Sequence, residues 1–344
     1  MPENEFESDG KSFPSHVVHL IVGIACCLEA DTVLKRGLQR GVRMRFQFNH
    51  EAAKARWGAN FTHFASLEEF FGADLSLGVQ AINIGKATLF LYYRPRASRN
   101  LVVHFSGAMV RAPDRHLPYL AGLDLTSDLD CAFLAIDDPS LQYADDLALG
   151  WHIGTKDFSL KEILPGVIQH VAALTASDNI ILTGGSGGGF ASLLYGSLIP
   201  STVVAFNPQT NIARYSPDAY KKYASVSFGW DGTGDPSAVF GPHFVTNLVE
   251  HFGSNKPPKG VYLQNKSDWH TNVHAMPMIS ALGGTAAPVD QTLGGLSFAF
   301  GNWGEGHAPL PKVAYRKLLI EAIHGTDLMS VATKLCAELA PDPV

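Results

Sequence analysis

Cysteine is scarce in this chain, with four residues in 344 (Cys26, Cys27, Cys131 and Cys336). None forms a C-x-x-C pair, so neither a zinc knuckle nor a dithiol redox couple is written into the sequence. Cys131 opens an apolar run and reads as an inert core residue, and thiols this sparse fit a reduced, cytoplasmic setting. Charge is also sparse: Asp plus Glu number 32 against 26 Lys plus Arg, a net charge of −6. No basic cluster offers a phosphate track, which excludes nucleic acid as an expected partner. The apolar run at residues 20–28 is far shorter than the ~20 residues a membrane-spanning helix needs, and no other segment comes nearer. Residues 1–11 are acidic and polar, the wrong start for a secretory signal. Internal repeats and low-complexity tracts are absent.

Several cofactor motifs are missing too. A dinucleotide loop needs G-x-G-x-x-G, yet counting from Gly185 the sixth position is Phe190, and from Gly187 it is Ser192. A phosphate loop needs Lys where Phe190 or Ala191 stands. His270 and His274 are spaced i, i+4, but no H-E-x-x-H glutamate accompanies them. No cofactor and no metal are therefore expected.

What is present is a core. Hydrophobic residues make up 46% of the chain, enough to fill one large α/β domain with extensions. From about residue 81 apolar strands (87–93, 101–105, 131–136, 179–182, 201–206, 260–265 and 296–300) alternate with helical stretches such as 161–176, 312–323 and 328–339. Strands apolar on both faces predict a predominantly parallel central sheet with helices on both sides. Residues 1–15 read as a disordered tail and 16–80 as an N-terminal extension packed on a main domain over 81–344. In that extension, 17–28 reads as a buried strand or short helix, 43–48 as a half-exposed strand, and 51–57 and 67–71 as short helices. The interval 209–259, rich in aromatics and glycine, interrupts the rhythm and reads as a cap insertion. Its Tyr and Trp side chains either stack on a ligand ring or pack the cap's own core.

The run Ile180-Ile181-Leu182-Thr183-Gly184-Gly185-Ser186-Gly187-Gly188-Gly189-Phe190 carries the chemistry. An apolar strand enters a G-x-S-x-G turn and a helix-forming stretch follows at once, the pattern of a nucleophile elbow that lifts a serine above the sheet. Gly184 and Gly188 flank Ser186 where strand and helix backbones crowd. Gly187 leaves its N–H free to point at substrate, beside the positive end of a helix dipole.

A serine hydroxyl needs a base, and the base needs an acid to hold its tautomer. In such a sheet the partners follow in the order Ser, acid, His, each after a later strand. Asp268 follows the strand at 260–265, and His307 follows the strand at 296–300 within Gly301-Asn302-Trp303-Gly304-Glu305-Gly306-His307. Asp231, Asp235 and Asp290 compete with Asp268, but none directly follows an apolar strand. Glu305 is too near His307 in sequence to orient it. An oxyanion hole needs two backbone N–H groups: Gly187 supplies one, and Ser106 or Gly107, after the strand at 101–105, the other. His104 reads as a strand residue, and His270 and His274 as residues lining or supporting the site.

On Gly184-Gly185-Ser186-Gly187-Gly188, Asp268 and His307, the chain from about 81 to 325 resembles the α/β-hydrolase superfamily. Asp138-Pro139-Ser140 with Leu149-Gly150-Trp151-His152-Ile153-Gly154, and Ala205-Phe206-Asn207-Pro208-Gln209-Thr210, look like a bacterial branch associated with surface-glycan biosynthesis, similar to accessory-secretion proteins that O-acetylate glycans. The resemblance implies cleavage or transfer of an acyl group through an acyl-serine, on a small-molecule or glycan ester. Trp151, His270 and Trp303 are expected to touch that substrate. Water as acceptor makes an esterase and a sugar hydroxyl an acyltransferase; a non-catalytic binding protein on the same fold is the alternative.

Overall fold

The computed structural model describes residues 50–112 and 116–339. The expected tail at 1–15, the element at 17–28 and the strand at 43–48 lie outside the described residues. Within them the chain runs α1 (His50–Trp57), β1 (Phe61–Phe64), α2 (Leu67–Phe71), β2 (Gly78–Asn83), β3 (Thr88–Arg94), β4 (Asn100–Phe105) and β5 (Ala132–Ile136). A small hairpin, β6 (Gly154–Thr155) and β7 (Phe158–Ser159), leads into α3 (Leu160–Leu174), β8 (Asn179–Gly185), α4 (Gly187–Leu198) and β9 (Thr202–Phe206). Then come α5 (Pro217–Phe228), α6 (Leu248–Ser254), β10 (Lys259–Asn265), α7 (Met276–Ala281), β11 (Gln291–Leu293), β12 (Leu296–Gly301), α8 (Lys312–His324) and α9 (Leu328–Glu338).

Among the described residues, one ten-stranded sheet has the order β1-β2-β3-β5-β4-β8-β9-β10-β12-β11. The six strands from β5 to β12 pair in parallel, while β3 and β11 run against their neighbours. The strand interiors are buried on both faces because each face has its own helices. In β4, Leu101, Val103 and Phe105 pack with α3 and α4, whereas Val102 packs with α8 and α9 on the other side. Each such side chain, taken fully out of water, contributes about 1.5–3 kcal/mol. That two-sided burial makes the strands read as unbroken apolar runs.

Residues 61–64 and 78–80, expected within an extension packed on the domain, form β1 and, together with 81–83 of the main domain, β2, and they continue the sheet beyond β3. Their pattern is muted in sequence. β2 buries Gln80, whose amide turns back to the Ser76 and Gly78 carbonyls. In the interval 209–259, helix α5 starts where Ser216 caps the amide of Ala219 ahead of Pro217 and stops at Gly229, with φ 81°. Its aromatics pack on each other, with ring centroids 4.6 Å apart for Phe228 and Phe240 and 4.8 Å for Phe228 and Phe244. Of the interval's tyrosines, Tyr220 packs on Phe240 (5.7 Å) and Tyr223 on Phe228 (5.4 Å), so these two take the packing role. No helix among the described residues is long and apolar enough to cross a membrane.

Because β8, β10 and β12 are parallel, the residues that follow them emerge at one rim of the sheet. The turn after β8 is tight: a Cβ on Gly188 would lie 2.2 Å from the carbonyl oxygen of Phe105. A backbone carbonyl in a paired strand has little room to move. Replacing Gly188 with Ala is expected to cost about 1–3 kcal/mol or more of stability, read from urea unfolding. An unchanged midpoint would contradict this contact.

Candidate active site

Ser186 sits between β8 and α4 with φ 55° and ψ −119°, a conformation uncommon for a residue with a side chain. Three backbone bonds hold it there. Its N–H donates to the Phe206 carbonyl (3.1 Å), and its own carbonyl accepts from Phe190 and from Gln209 (both 3.1 Å). Packing holds the turn as well. A Cβ on Gly185 would meet the Phe206 ring at 2.1 Å, and one on Gly187 would meet Leu149 at 2.6 Å. The side chain remains half-buried at the rim. Its Oγ accepts a hydrogen bond from Gln209 Nε2 at 3.0 Å.

Asp268 and His307 meet. The Asp268 carboxylate, 2% exposed, lies with Oδ2 2.6 Å from His307 Nδ1, and its Oδ1 accepts from the His270 amide at 3.0 Å. Asn265, at the end of β10, builds the loop that carries the histidine. Its Nδ2 donates to the carbonyls of Gly304 and Gly306 (both 2.8 Å), and its Oδ1 accepts from the Trp303 amide (3.2 Å). His307 itself is half-buried.

The loop after β9 joins these parts. Asn207 (φ 42°) bonds through Nδ2 to the Ala308 carbonyl (2.8 Å), and its Oδ1 accepts from the Asn265 amide (2.8 Å). Gln209, two residues on, holds Ser186 by backbone and side chain. So one loop ties the turn of Ser186 to the loop of His307.

On the other flank Gly107 lies against the turn; a Cβ there would be 3.2 Å from the Gly185 carbonyl and 3.8 Å from Ser186 Cβ. Ser106 is buried, and its carbonyl oxygen is 3.0 Å from His152 Nε2. His104 is a buried strand residue, as expected. Burial first, and then the neighbouring His152, push its imidazole down to about 4.

Two expected substrate contacts are corrected. Trp151 is fully buried, with its indole N–H bonded to Gln209 Oε1 and its ring edge-on to Tyr223 at 5.4 Å. It supports the site from beneath and presents no face to a ligand. His270 is fully buried too, with Nδ1 on the Asn207 carbonyl (3.1 Å) and its ring edge-on to His307 at 4.1 Å. Trp303 is half-buried and uses its indole N–H on the Ala308 carbonyl (3.1 Å), which fastens its own loop.

The residues that sequence reasoning missed are Asn207, Gln209, Asn265 and Thr210. For Asn207, Gln209 and Thr210 the only signal was membership of a stretch noted for its resemblance, and Asn265 had none beyond ending a strand, since buried polar side chains show no periodicity or spacing of their own.

Asp268, His270 and His307 offer ligand atoms within 4.8 Å of one another, close enough to hold a cation. In the arrangement seen, His307 Nδ1 and Asp268 Oδ2 are already spent on each other. His274 is no ligand: its Nδ1 accepts from the Thr210 amide (3.2 Å), so its proton sits on Nε2. Burial, then the positive charge His307 would carry, pushes His274 down to about 3 and His270 well below its ordinary value. These imidazoles stay neutral in the folded state, whereas unfolded they take up protons near pH 6.5. The unfolded state binds more protons, so stability is full above that pH and falls as pH drops through it. Between pH 7 and 5 the loss should be about 2 kcal/mol for each of His104 and His274, read from urea unfolding. A flat profile over that range would contradict the buried neutral histidines.

No family model and no curated protein matches the sequence. Solved structures do resemble it. The capsule O-acetyltransferase of Neisseria meningitidis serogroup A is 17% identical with a TM-score of 0.52, over 73% of this chain and 97% of that one. A mutant of that protein in complex with CoA aligns with the same identity and score, over 72% of this chain and 95% of that one. An S-formylglutathione hydrolase from Agrobacterium tumefaciens is 14% identical with a TM-score of 0.45, over 74% of this chain and 95% of that one. At such identity a likeness speaks to architecture alone. The chain has the α/β-hydrolase fold.

Proposed function

We propose that this protein is a serine-dependent acyl-transfer enzyme working through an acyl-serine at Ser186. The observation that carries the reading is the 2.6 Å contact of Asp268 with His307, tied through one loop to the strained turn that presents Ser186. Asp268 fixes the proton of His307 on Nδ1 and leaves Nε2 as the base. His307 takes the Ser186 proton as Oγ attacks an ester carbonyl. It then returns that proton to the departing group.

The oxyanion donors in this reading are the N–H groups of Gly187 and Gly107. Gly187 opens α4, whose first N–H groups have no partner within the helix. Gly107 is preferred to Ser106 for a geometric reason. His152 holds the Ser106 carbonyl, and in a trans peptide the following N–H points the opposite way. That leaves the Gly107 N–H facing away from His152, on a residue packed against Ser186.

An acyl-serine can pass its acyl group to water or to a hydroxyl. The likeness to a capsule O-acetyltransferase, and to its complex with CoA, makes acetyl-CoA the donor and a glycan hydroxyl the acceptor to try first. Free buried thiols at Cys131 and Cys336 support a cytoplasmic setting for that chemistry.

The test uses a fluorophosphonate probe, p-nitrophenyl acetate, and acetyl-CoA with and without polysaccharide. Ser186→Ala should take no label and lose turnover. Asp268→Asn should fold normally and lose about 10³–10⁴-fold in turnover. Labelling of Ser186→Ala at the wild-type rate would overturn the reading. Acetyl groups recovered on the polysaccharide identify transfer, and free acetate alone identifies hydrolysis.

A further inference from the structure

We propose that Gln209 is a catalytic residue whose amide N–H sets the direction of the Ser186 hydroxyl proton and holds Oγ as charge develops on it. The inference rests on the acyl-serine reading. Gln209 is fully buried, and its amide orientation is settled by its neighbours. The indole N–H of Trp151 can only donate, so the group facing it is Oε1 and the group 3.0 Å from Ser186 Oγ is Nε2. The backbone N–H of Gln209 bonds the Ser186 carbonyl at 3.1 Å, so backbone and side chain keep the two residues in register.

A serine hydroxyl has one proton to give and two lone pairs to receive. With Gln209 donating to one lone pair, the hydroxyl proton cannot point that way and is left to face the base. During attack the O–H bond breaks, its proton passes to His307 Nε2, and an Oγ–C bond forms as the carbonyl π pair moves onto oxygen; on collapse the bond to the leaving group breaks and His307 gives that group the proton. The Gln209 protons stay on nitrogen throughout. In the acyl-enzyme Oγ is an ester oxygen and a poorer acceptor, so the buried amide is underused there. When an acceptor hydroxyl attacks, His307 takes its proton as the new C–O bond forms; the C–Oγ bond then breaks, the electron pair returns to Oγ, and Oγ receives that proton from His307. The amide then regains its full bond. Gln209 thereby stabilises both steps at the atom that changes charge and lowers the stability of the acyl-enzyme between them. Trp151 is the positioning residue that keeps the amide from flipping.

Gln209→Glu keeps the size and the acceptor for Trp151. When ionised it faces Ser186 with an oxygen that captures the hydroxyl proton and opposes charge on Oγ. When protonated it can again donate. The measurement is the rate of fluorophosphonate labelling of the full chain from pH 5 to 9, with near-ultraviolet circular dichroism as the folding control. The ratio of variant to wild type should fall about 10–100-fold as pH rises through the titration of the new carboxyl. Gln209→Met, similar in length with no donor, should label about 10-fold slower than wild type in a pH-independent ratio, and it decides the matter if the Glu variant does not fold. Wild-type labelling accompanied by a constant Gln209→Glu ratio, or by an unimpaired Gln209→Met, overturns this inference alone. A wild-type chain that takes no label overturns it together with the acyl-serine reading.

Discussion

The joint on which the site depends is the buried side chain of Asn207. Its backbone N–H reaches the Leu263 carbonyl (2.8 Å), and its carbonyl receives His270 Nδ1 (3.1 Å). Its Oδ1 accepts from the Asn265 amide and from Gln264 Nε2, and its Nδ2 donates to the Ala308 carbonyl. Every polar atom is matched at 2% exposure, and stranding a buried partner would cost about 1–3 kcal/mol. The end of β9 is thereby fastened to β10 and to the loop of His307. The same loop packs Pro208 onto the first turn of α4, where a Cβ on Gly189 would come within 2.6 Å of it. The serine turn on one side and the histidine loop on the other are therefore fastened to the same loop.

Backbone strain gathers around that joint. Five described non-glycine residues have positive φ, and four of them (Trp151, His152, Ser186 and Asn207) belong to this network. Trp151 holds Gln209, which holds Ser186; His152 holds the Ser106 carbonyl, whose peptide continues into Gly107. A strained pair of residues thus supports both the serine and the amide beside it. Such strain persists only where surrounding contacts over-determine it, and here the contacts are buried hydrogen bonds and close-packed glycines. The sheet supplies the rigid edge, and the polar network beneath the rim sets the fine geometry.

Much of this could be read before any coordinates. Strands such as 101–105 and 260–265 announce themselves because both faces are buried, and Ser186, Asp268 and His307 stood out because each follows such a strand. β1 and β2 were harder, since Gln80 and Gly78 interrupt the apolar pattern that burial would otherwise produce. Trp151 and His270 were misjudged for a physical reason. Aromatic and imidazole side chains look alike in sequence whether they face a ligand or support a neighbour, and only burial separates the two. Gln209 and Asn207 could not be found at all by pattern, because a buried amide acts through direction, and direction belongs to the folded backbone.

In the proposed reaction Ser186 attacks a carbonyl whose oxygen is received by two backbone amides. A crystal structure of the fluorophosphonate adduct would show that arrangement at the phosphorus atom. Phosphorus should be bonded to Ser186 Oγ, with the phosphoryl oxygen within hydrogen-bond reach of the Gly187 and Gly107 N–H groups. Phosphorus on another side chain, or a phosphoryl oxygen turned away from both amides, would contradict that reaction.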